Sequence, residues 1–154
     1  MNRSGSPCSQ SLLPEAPTQN AYRTRVPRVW SPRPPLSITV SNPPPVTSDL
    51  AVTPSVIWAP NHNMVDAMLI YNITDNCDAG IVPKIAITSN ESANGAGDGN
   101  TSTDWQVIDA HHVQVRAERS GTGTGRVYTI TLTATDSARS STSSATVVTV
   151  PHNQ

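Results

Sequence analysis

Apolar and polar residues alternate with a period of two along most of the C-terminal part of the chain. Between positions 126 and 136, Tyr128, Ile130, Leu132 and Ala134 fall on one face, and threonines occupy the other. Strict alternation is typical of strands in antiparallel sheets that are covered on one side only. The pattern therefore predicts strands here, and no segment shows sustained helical periodicity.

The same alternation, or a short apolar pair, marks several further segments. They are Val52–Trp58, Met64–Asp75, the stretch around Ile85 and Ile87, Trp105–Ile108, His111–Arg119 and Ala145–Val150. About seven short strands over roughly 100 residues, with turns rich in Gly, Asn and Asp, are typical of an immunoglobulin-like sandwich. We therefore predict an all-β fold, an immunoglobulin-like antiparallel β-sandwich of about seven strands.

The N-terminal part differs in composition. Ten of the 14 prolines lie in residues 1–45, which carry a net charge of +4, whereas residues 46–154 carry −5. A proline-rich segment with few apolar residues cannot offset its ordering entropy by burial. We predict a flexible or extended arm, residues 1–49, followed by the sandwich domain, residues 50–154.

One stretch of the arm has the pattern of a strand. Leu36, Ile38 and Val40 alternate with Ser37 and Thr39. Such a segment can add to the edge of a sheet, either in its own domain or in a neighbouring subunit.

Charge and hydropathy exclude two classes of partner. Charged residues make up only 14% of the chain and its net charge is −1, so no strong field attracts nucleic acid. No apolar run approaches the roughly 18 residues of a membrane-spanning helix. No signal peptide is visible after Met1, although the composition suggests an extracellular or cell-surface protein. We therefore expect a fragment, a misassigned start or another export route.

Ordered motifs in the second part of the chain resemble a known family. They are Trp58–Met64 (W-A-P-N-H-N-M), Thr74–Asp78 (T-D-N-C-D), Ile87–Glu91, Gly97–Asn100, Arg116–Gly121, Gly125–Ile130, Thr133–Asp136 and Val150–His152. Together they resemble the bacterial immunoglobulin-like, hyalin-repeat (HYR)-like modules of secreted and cell-surface proteins. The resemblance implies a non-catalytic unit, of a kind often found in tandem or attached to enzymes and adhesins.

The chain departs from that family pattern at two points. Many relatives carry a cysteine pair on two facing strands, and here the corresponding stretches hold Ile85 and Ala134. The usual T-D-A-S-G-N turn reads T-D-S-A-R-S over positions 135–140, without its glycine. The resemblance therefore does not imply a special backbone geometry or a ligand at this turn.

Calcium is a candidate ligand because carboxylate and amide oxygens cluster in the turns. Asp98, Asn100 and Asp104 form the preferred set, and Asp75 with Asp78 is the second choice. Ca²⁺ takes six to eight hard oxygen ligands, and closely spaced Asp and Asn residues supply them. The alternative is that these are ordinary turn residues that hydrogen-bond their own backbone.

The chain has two cysteines, Cys8 in the arm and Cys77 in a turn. An oxidising environment would allow a Cys8–Cys77 disulfide that fixes the arm to the domain. A free thiol or a bond to another chain is the alternative.

Trp58 and Trp105 are candidate glycan-binding residues, provided that both are exposed and coplanar; the alternative is that they belong to the core. No nucleophile elbow supports hydrolase chemistry, so we expect no enzymatic activity. Arg116, Arg119, Arg126 and Glu118 are expected to form ordinary cross-strand ion pairs, of little energetic value.

The leading hypothesis is therefore a non-enzymatic extracellular structural or adhesion module whose partner is a protein or a cell-surface glycan. It could self-assemble through its arm. The competing hypothesis is a glycan-binding accessory module of a secreted enzyme.

Overall fold

The computed structural model describes residues 41–93 and 103–153. This part contains strands and no helix, hence none long and apolar enough to cross a membrane. The strands are β1 Val46–Thr53, β2 Met64–Thr74, β3 Lys84–Ser89, β4 Trp105–Val107, β5 His112–Arg116, β6 Gly125–Thr135 and β7 Ser141–Pro151. The predicted all-β fold of about seven strands is confirmed.

The strands form two antiparallel sheets. One sheet has the order β1-β2-β5-β4 and the other the order β3-β6-β7. This is the strand order of the constant-type immunoglobulin sandwich. The even-numbered strands begin at one end of the sandwich and the odd-numbered strands at the other.

The period of two places the core as the sequence predicts. Tyr128, Ile130, Leu132 and Ala134 of β6 have no exposed surface. Tyr128 and Ile130 pack against alternate apolar residues of β2, β5 and β7, and full burial of an aliphatic side chain such as Ile130 contributes roughly 1.5–3 kcal/mol. The threonines between the four buried residues of β6 face outward and pair with Val147, Ala145 and Ser143 of β7.

The first strand differs from the prediction. It runs from Val46 to Thr53 rather than from 52 to 58, so it begins on the arm side of the predicted 49/50 boundary. Pro54 has no N–H to continue the ladder with β2, which explains why the strand ends there. The chain then crosses to the other sheet, where Val56 forms a parallel bridge with Thr149 of β7.

The two ends of the sandwich carry different residues. The cysteine end contains the start of β1, Cys77 and the β6–β7 turn, and the arginine end contains the start of β6 at Arg126. The chain therefore enters the sandwich at the cysteine end on β1, and β7 leaves it at the arginine end.

The β6–β7 turn is organised by Asp136, which is buried at the cysteine end. Its Oδ1 accepts from Ser140 N at 2.7 Å, and its Oδ2 accepts from Asn42 Nδ2 at 3.1 Å. Arg139 has a φ of 71°, at the position where the family pattern has glycine. The turn keeps a left-handed residue there although an arginine occupies the position.

We expect Arg139→Gly to raise the free energy of unfolding by about 0.5–1 kcal/mol, because glycine adopts positive φ without the steric cost of a Cβ. Equilibrium urea unfolding measures the change. Ala138→Gly in the same turn is the control and should not stabilise, since Ala138 has no positive φ. A lower midpoint for Arg139→Gly would contradict the prediction.

Candidate functional site

An arginine lies fully buried at the arginine end. The alternation of β6 places Arg126 on the same inward face as Tyr128, and it has 0% exposure. Three carboxylates meet its guanidinium: Asp104 Oδ2 at 2.9 Å and Glu118 Oε1 at 3.1 Å from Nη1, and Glu91 Oε2 at 3.3 Å from Nε. We call Arg126 and these three acids the arginine cluster.

Each member of the arginine cluster comes from a different part of the sequence. Glu91 follows β3, Asp104 precedes β4, Glu118 follows β5 and Arg126 lies at the start of β6. Because the strands are antiparallel, the odd-numbered strands end, and the even-numbered strands start, at the same end of the sandwich. The cluster therefore links both sheets at this end of the sandwich.

Backbone groups and a tyrosine complete the guanidinium's environment. Arg126 Nη2 donates to the Ser92 carbonyl at 3.0 Å, and Nη1 donates to the Tyr128 hydroxyl oxygen at 3.2 Å. The Tyr128 hydroxyl donates in turn to the Arg116 carbonyl at 2.8 Å. This last bond resembles the tyrosine corner of immunoglobulin domains, in which a tyrosine early in the sixth strand bonds upstream backbone.

The acids also fix the neighbouring connections. Glu91 Oε2 accepts from Ser120 N at 2.7 Å, which holds the β5–β6 connection. Glu118 Oε2 lies 3.3 Å from His62 Nδ1 and 4.0 Å from Arg116 Nε. The buried charge network thus reaches three loops.

Burial changes the proton affinities of these groups. Burial raises the pKa of Asp104, and the neighbouring Glu118 raises it further, whereas Arg126 opposes the shift. Burial likewise raises the pKa of Tyr128 to about 12, so its hydroxyl remains a donor at neutral pH.

The geometry supports a structural role for the cluster. The side chains of Asp104, Glu118 and Arg126 have 0% exposure, so solvent does not reach them. Two neighbouring carboxylates, one of them with a raised pKa, also occur in sites of acid–base catalysis. Here, however, Asp104 and Glu118 are both paired with the buried guanidinium of Arg126.

The predicted ion pairs therefore need a correction. Arg126 and Glu118 do pair, but in the interior, where removal of one partner is far more costly than on the surface. Glu118 does not lie on a strand, because β5 ends at Arg116 and Glu118 is buried beyond it. Arg119 instead donates to the Ser120 and His152 carbonyls.

The candidate calcium ligands lie in different places. Asp98 and Asn100 lie outside the described residues, and Asp104 bonds Arg126. Asp75 Oδ1 accepts from the backbone N–H groups of Cys77 and Asp78, both at 2.8 Å. Asp78 Oδ2 accepts from Ser137 N at 3.0 Å and from Ser137 Oγ at 2.9 Å.

Asp75 therefore shapes its own turn, while Asp78 ties that turn to the β6–β7 turn. Within residues 41–93 and 103–153, no three His, Cys, Asp or Glu residues are grouped as metal ligands. Calcium binding through the 98–104 set stays a prediction.

Cys77 is disulfide-bonded. Its predicted partner, Cys8, lies outside the described residues, so the pairing stays a prediction. Ser41 lies close by in the fold, because Asn76 Nδ2 donates to its carbonyl at 2.9 Å. The arm thus joins the sandwich beside Cys77. Leu36, Ile38 and Val40 also lie outside the described residues.

The two tryptophans have different environments. Trp58 is 48% exposed, whereas Trp105 is partly buried against the core and meets Tyr128 edge-on, with 6.1 Å between ring centroids. Of these two tryptophans, Trp58 alone presents a large aromatic surface to solvent.

Most motifs that carry the family resemblance converge at the arginine end. Glu91 of the T-S-N-E segment, Glu118 of R-A-E-R-S-G and Arg126 of G-R-V-Y form the cluster, and His62 of the N-H-N-M segment contacts it. No family model, curated protein or solved structure matches this chain.

We expect Arg126→Leu to lower the free energy of unfolding by about 3–5 kcal/mol, since it leaves buried carboxylates without their cation. Lys84→Leu is the matched control: it also removes one positive charge, but from an exposed side chain, and should change stability by at most about 0.5 kcal/mol. Urea titrations followed by tryptophan fluorescence measure both. Equal small losses would contradict a stabilising cluster.

We expect the stability of the wild type relative to Asp104→Asn to fall as pH rises above about 3.9, the ordinary aspartate value. Because the folded-state pKa of Asp104 is raised, the folded chain keeps a proton that the unfolded chain loses. This contribution is fully present below the unfolded pKa and is lost as pH passes the folded one. Unfolding titrations of both proteins between acid and neutral pH measure the difference, and a difference that rises with pH would refute the assignment.

Proposed function

We propose that the chain is a non-enzymatic structural or adhesion module of the extracellular or cell-surface kind, acting as an in-line spacer. One observation carries the proposal: β1 and β7, the first and last of the described strands, run in the same direction. The chain therefore enters at the cysteine end and leaves at the arginine end. A tandem array of such units, or one unit between two other domains, would transmit tension along its long axis.

The contact between the first and last segments suits that load. Thr149 N donates to the Ser55 carbonyl at 2.9 Å, and Ile57 N donates to the Thr149 carbonyl at 2.9 Å. Because these segments are parallel, tension on the two termini slides one past the other. Both bonds are then loaded together and resist in shear.

Polar contacts also secure the entry and exit points. At the entry, Asn42 bonds Asp136 of the β6–β7 turn. At the exit, Arg119 Nη2 donates to the His152 carbonyl at 3.0 Å, just beyond β7. The arginine cluster organises the loops beside the exit. These contacts support a module built to keep both termini in place.

A glycan-binding accessory module remains the second candidate. It is supported by the exposure of Trp58 beside two exposed asparagines, Asn61 and Asn63. Trp105 does not add to that surface, since it packs against Tyr128. The entry and exit of the chain at opposite ends of the sandwich favour the spacer over the glycan-binding module. We propose that the partner of the module is a protein or a cell-surface glycan.

We expect Thr149→Pro to lower the force at which single molecules unfold when pulled by their termini, because it removes the N–H that bonds Ser55. Val147→Pro is the matched control on the same strand: its N–H also points outward, but it has no bond in the described chain. Optical-tweezer unfolding measures both variants. A force for Thr149→Pro equal to that of Val147→Pro would remove the mechanical basis of the proposal.

A further inference from the structure

The described sheets have four edge strands, and three of them are protected against pairing with another chain. In β1 the register shifts between Ser48 and Ala51, where Asp49 adopts a φ of 56°. β4 is only three residues long, and β3 begins with the exposed Lys84. Bulges, short strands and edge lysines are the usual means of blocking edge-to-edge association.

The first half of β7 has none of these features. Residues 141–147 read S-T-S-S-A-T-V, without charge, proline or glycine. The register with β6 is regular throughout, so no bulge interrupts the strand. The crossing segment at Ser55–Ile57 covers the edge only at Thr149.

The parity of the ladder shows which groups this edge offers. Thr149 directs both its N–H and its carbonyl away from β6, toward Ser55 and Ile57. In an antiparallel ladder every second residue does the same, so Ser141, Ser143, Ala145 and Val147 also point outward. Among the described residues no backbone partner meets these groups. We call residues 141–147 the open edge.

We propose that the open edge accepts the segment Leu36–Val40 of a second copy of this chain as an added strand. The segment has five residues of alternating apolar and polar character, and the open edge, with seven residues, is long enough to pair with all of them. Neither side carries charge, so no repulsion opposes the pairing. Edge addition of this kind gains affinity from main-chain bonds and specificity from alternate side chains.

The path of the described chain favours a second copy over the chain's own segment. β1 lies against β7. On the N-terminal side of β1, Asn42 bonds Asp136, which follows the central strand β6. The residue before Asn42, Ser41, is held by Asn76 beyond β2. The chain thus moves from the β1–β7 side toward the middle of the cysteine end. Its own segment would have to turn back to reach the open edge.

This pairing gives head-to-tail assembly. Each subunit donates the segment Leu36–Val40 to one neighbour and accepts the same segment of another neighbour on β7. Because these are two different surfaces, the contact is heterologous and can extend as an open filament. The inference rests on the proposed structural role and names its partner.

The test removes donor and acceptor separately in the full-length protein. Ala145→Pro removes an outward N–H of the open edge, and Ser143→Pro is a second acceptor variant should the first fail to fold. Ile38→Pro and Thr39→Pro each remove one N–H from the added strand. Because neighbouring residues of a strand direct their N–H groups to opposite sides, one of the two variants removes a bond to the open edge. Gln19→Pro is the control elsewhere in the arm. Near-ultraviolet circular dichroism verifies the fold, and analytical ultracentrifugation over a concentration series measures assembly.

We expect oligomers that grow with concentration in the wild type and in Gln19→Pro, and monomers in each donor or acceptor variant. An equimolar mixture of Ile38→Pro with Ala145→Pro should give dimers and nothing larger, because only one productive contact remains. A wild type that is monomeric throughout, or oligomers that persist in both classes of variant, would overturn the inference.

Hydrogen exchange identifies the remaining alternative. A monomeric wild type in which Ile38→Pro accelerates exchange at Ser143, Ala145 and Val147 would assign the edge to the chain's own arm and overturn the inference. A monomeric wild type and an edge covered by the chain's own arm both leave the Thr149–Ser55 bond in place, so the unfolding force of Thr149→Pro relative to the wild type still tests the spacer role. Loss of the assembly and loss of the spacer role are therefore distinguishable.

Discussion

A buried guanidinium needs a partner for every donor, and this requirement organises one whole end of the molecule. Arg126 has 0% exposure, and carboxylates, a carbonyl and a hydroxyl surround it. An unpaired charge in that position would cost several kcal/mol, so the loops that supply the partners cannot move independently of β6. Glu91 and Ser92 after β3, Asp104 before β4 and Glu118 after β5 are therefore part of the folded unit.

The same requirement explains why the signature motifs are far apart in sequence. Antiparallel strands bring the ends of β3 and β5 to the start of β6, so Glu91, Glu118 and Arg126 meet although 35 residues separate Glu91 from Arg126. Ile85 and Ala134 stand where a cysteine pair would be expected from the resemblance, and the core there is aliphatic.

The sequence predicts most of the fold because period-two alternation reports directly which side of a strand is buried. It predicts less of the cluster. Arg126 occupies the same alternate positions of β6 as Tyr128 and Ile130, so the alternation predicts that it points inward. Its charge, however, suggests an exposed residue. Glu118 has the outward parity of β5 and is buried only because the strand stops at Arg116. Such a bend is set by tertiary contacts, and no local pattern reports it. The predicted first strand, 52–58, is divided for a similar reason: its first residues, Val52 and Thr53, pair with β2, whereas Val56 bridges Thr149 of β7, at the other end of the sequence.

The two functional inferences meet in β7. Its second half is bonded to the crossing segment after β1, and this contact lies between the points at which the chain enters and leaves the sandwich. Its first half offers the open edge. A strand added there from a neighbouring subunit would extend the sheet that bears the load, so tension would pass from one subunit to the next through main-chain hydrogen bonds. The assembly contact and the load-bearing contact would then belong to one continuous strand. This would explain why β7 has eleven residues and no charge, whereas the other three edge strands are short, bulged or protected by lysine.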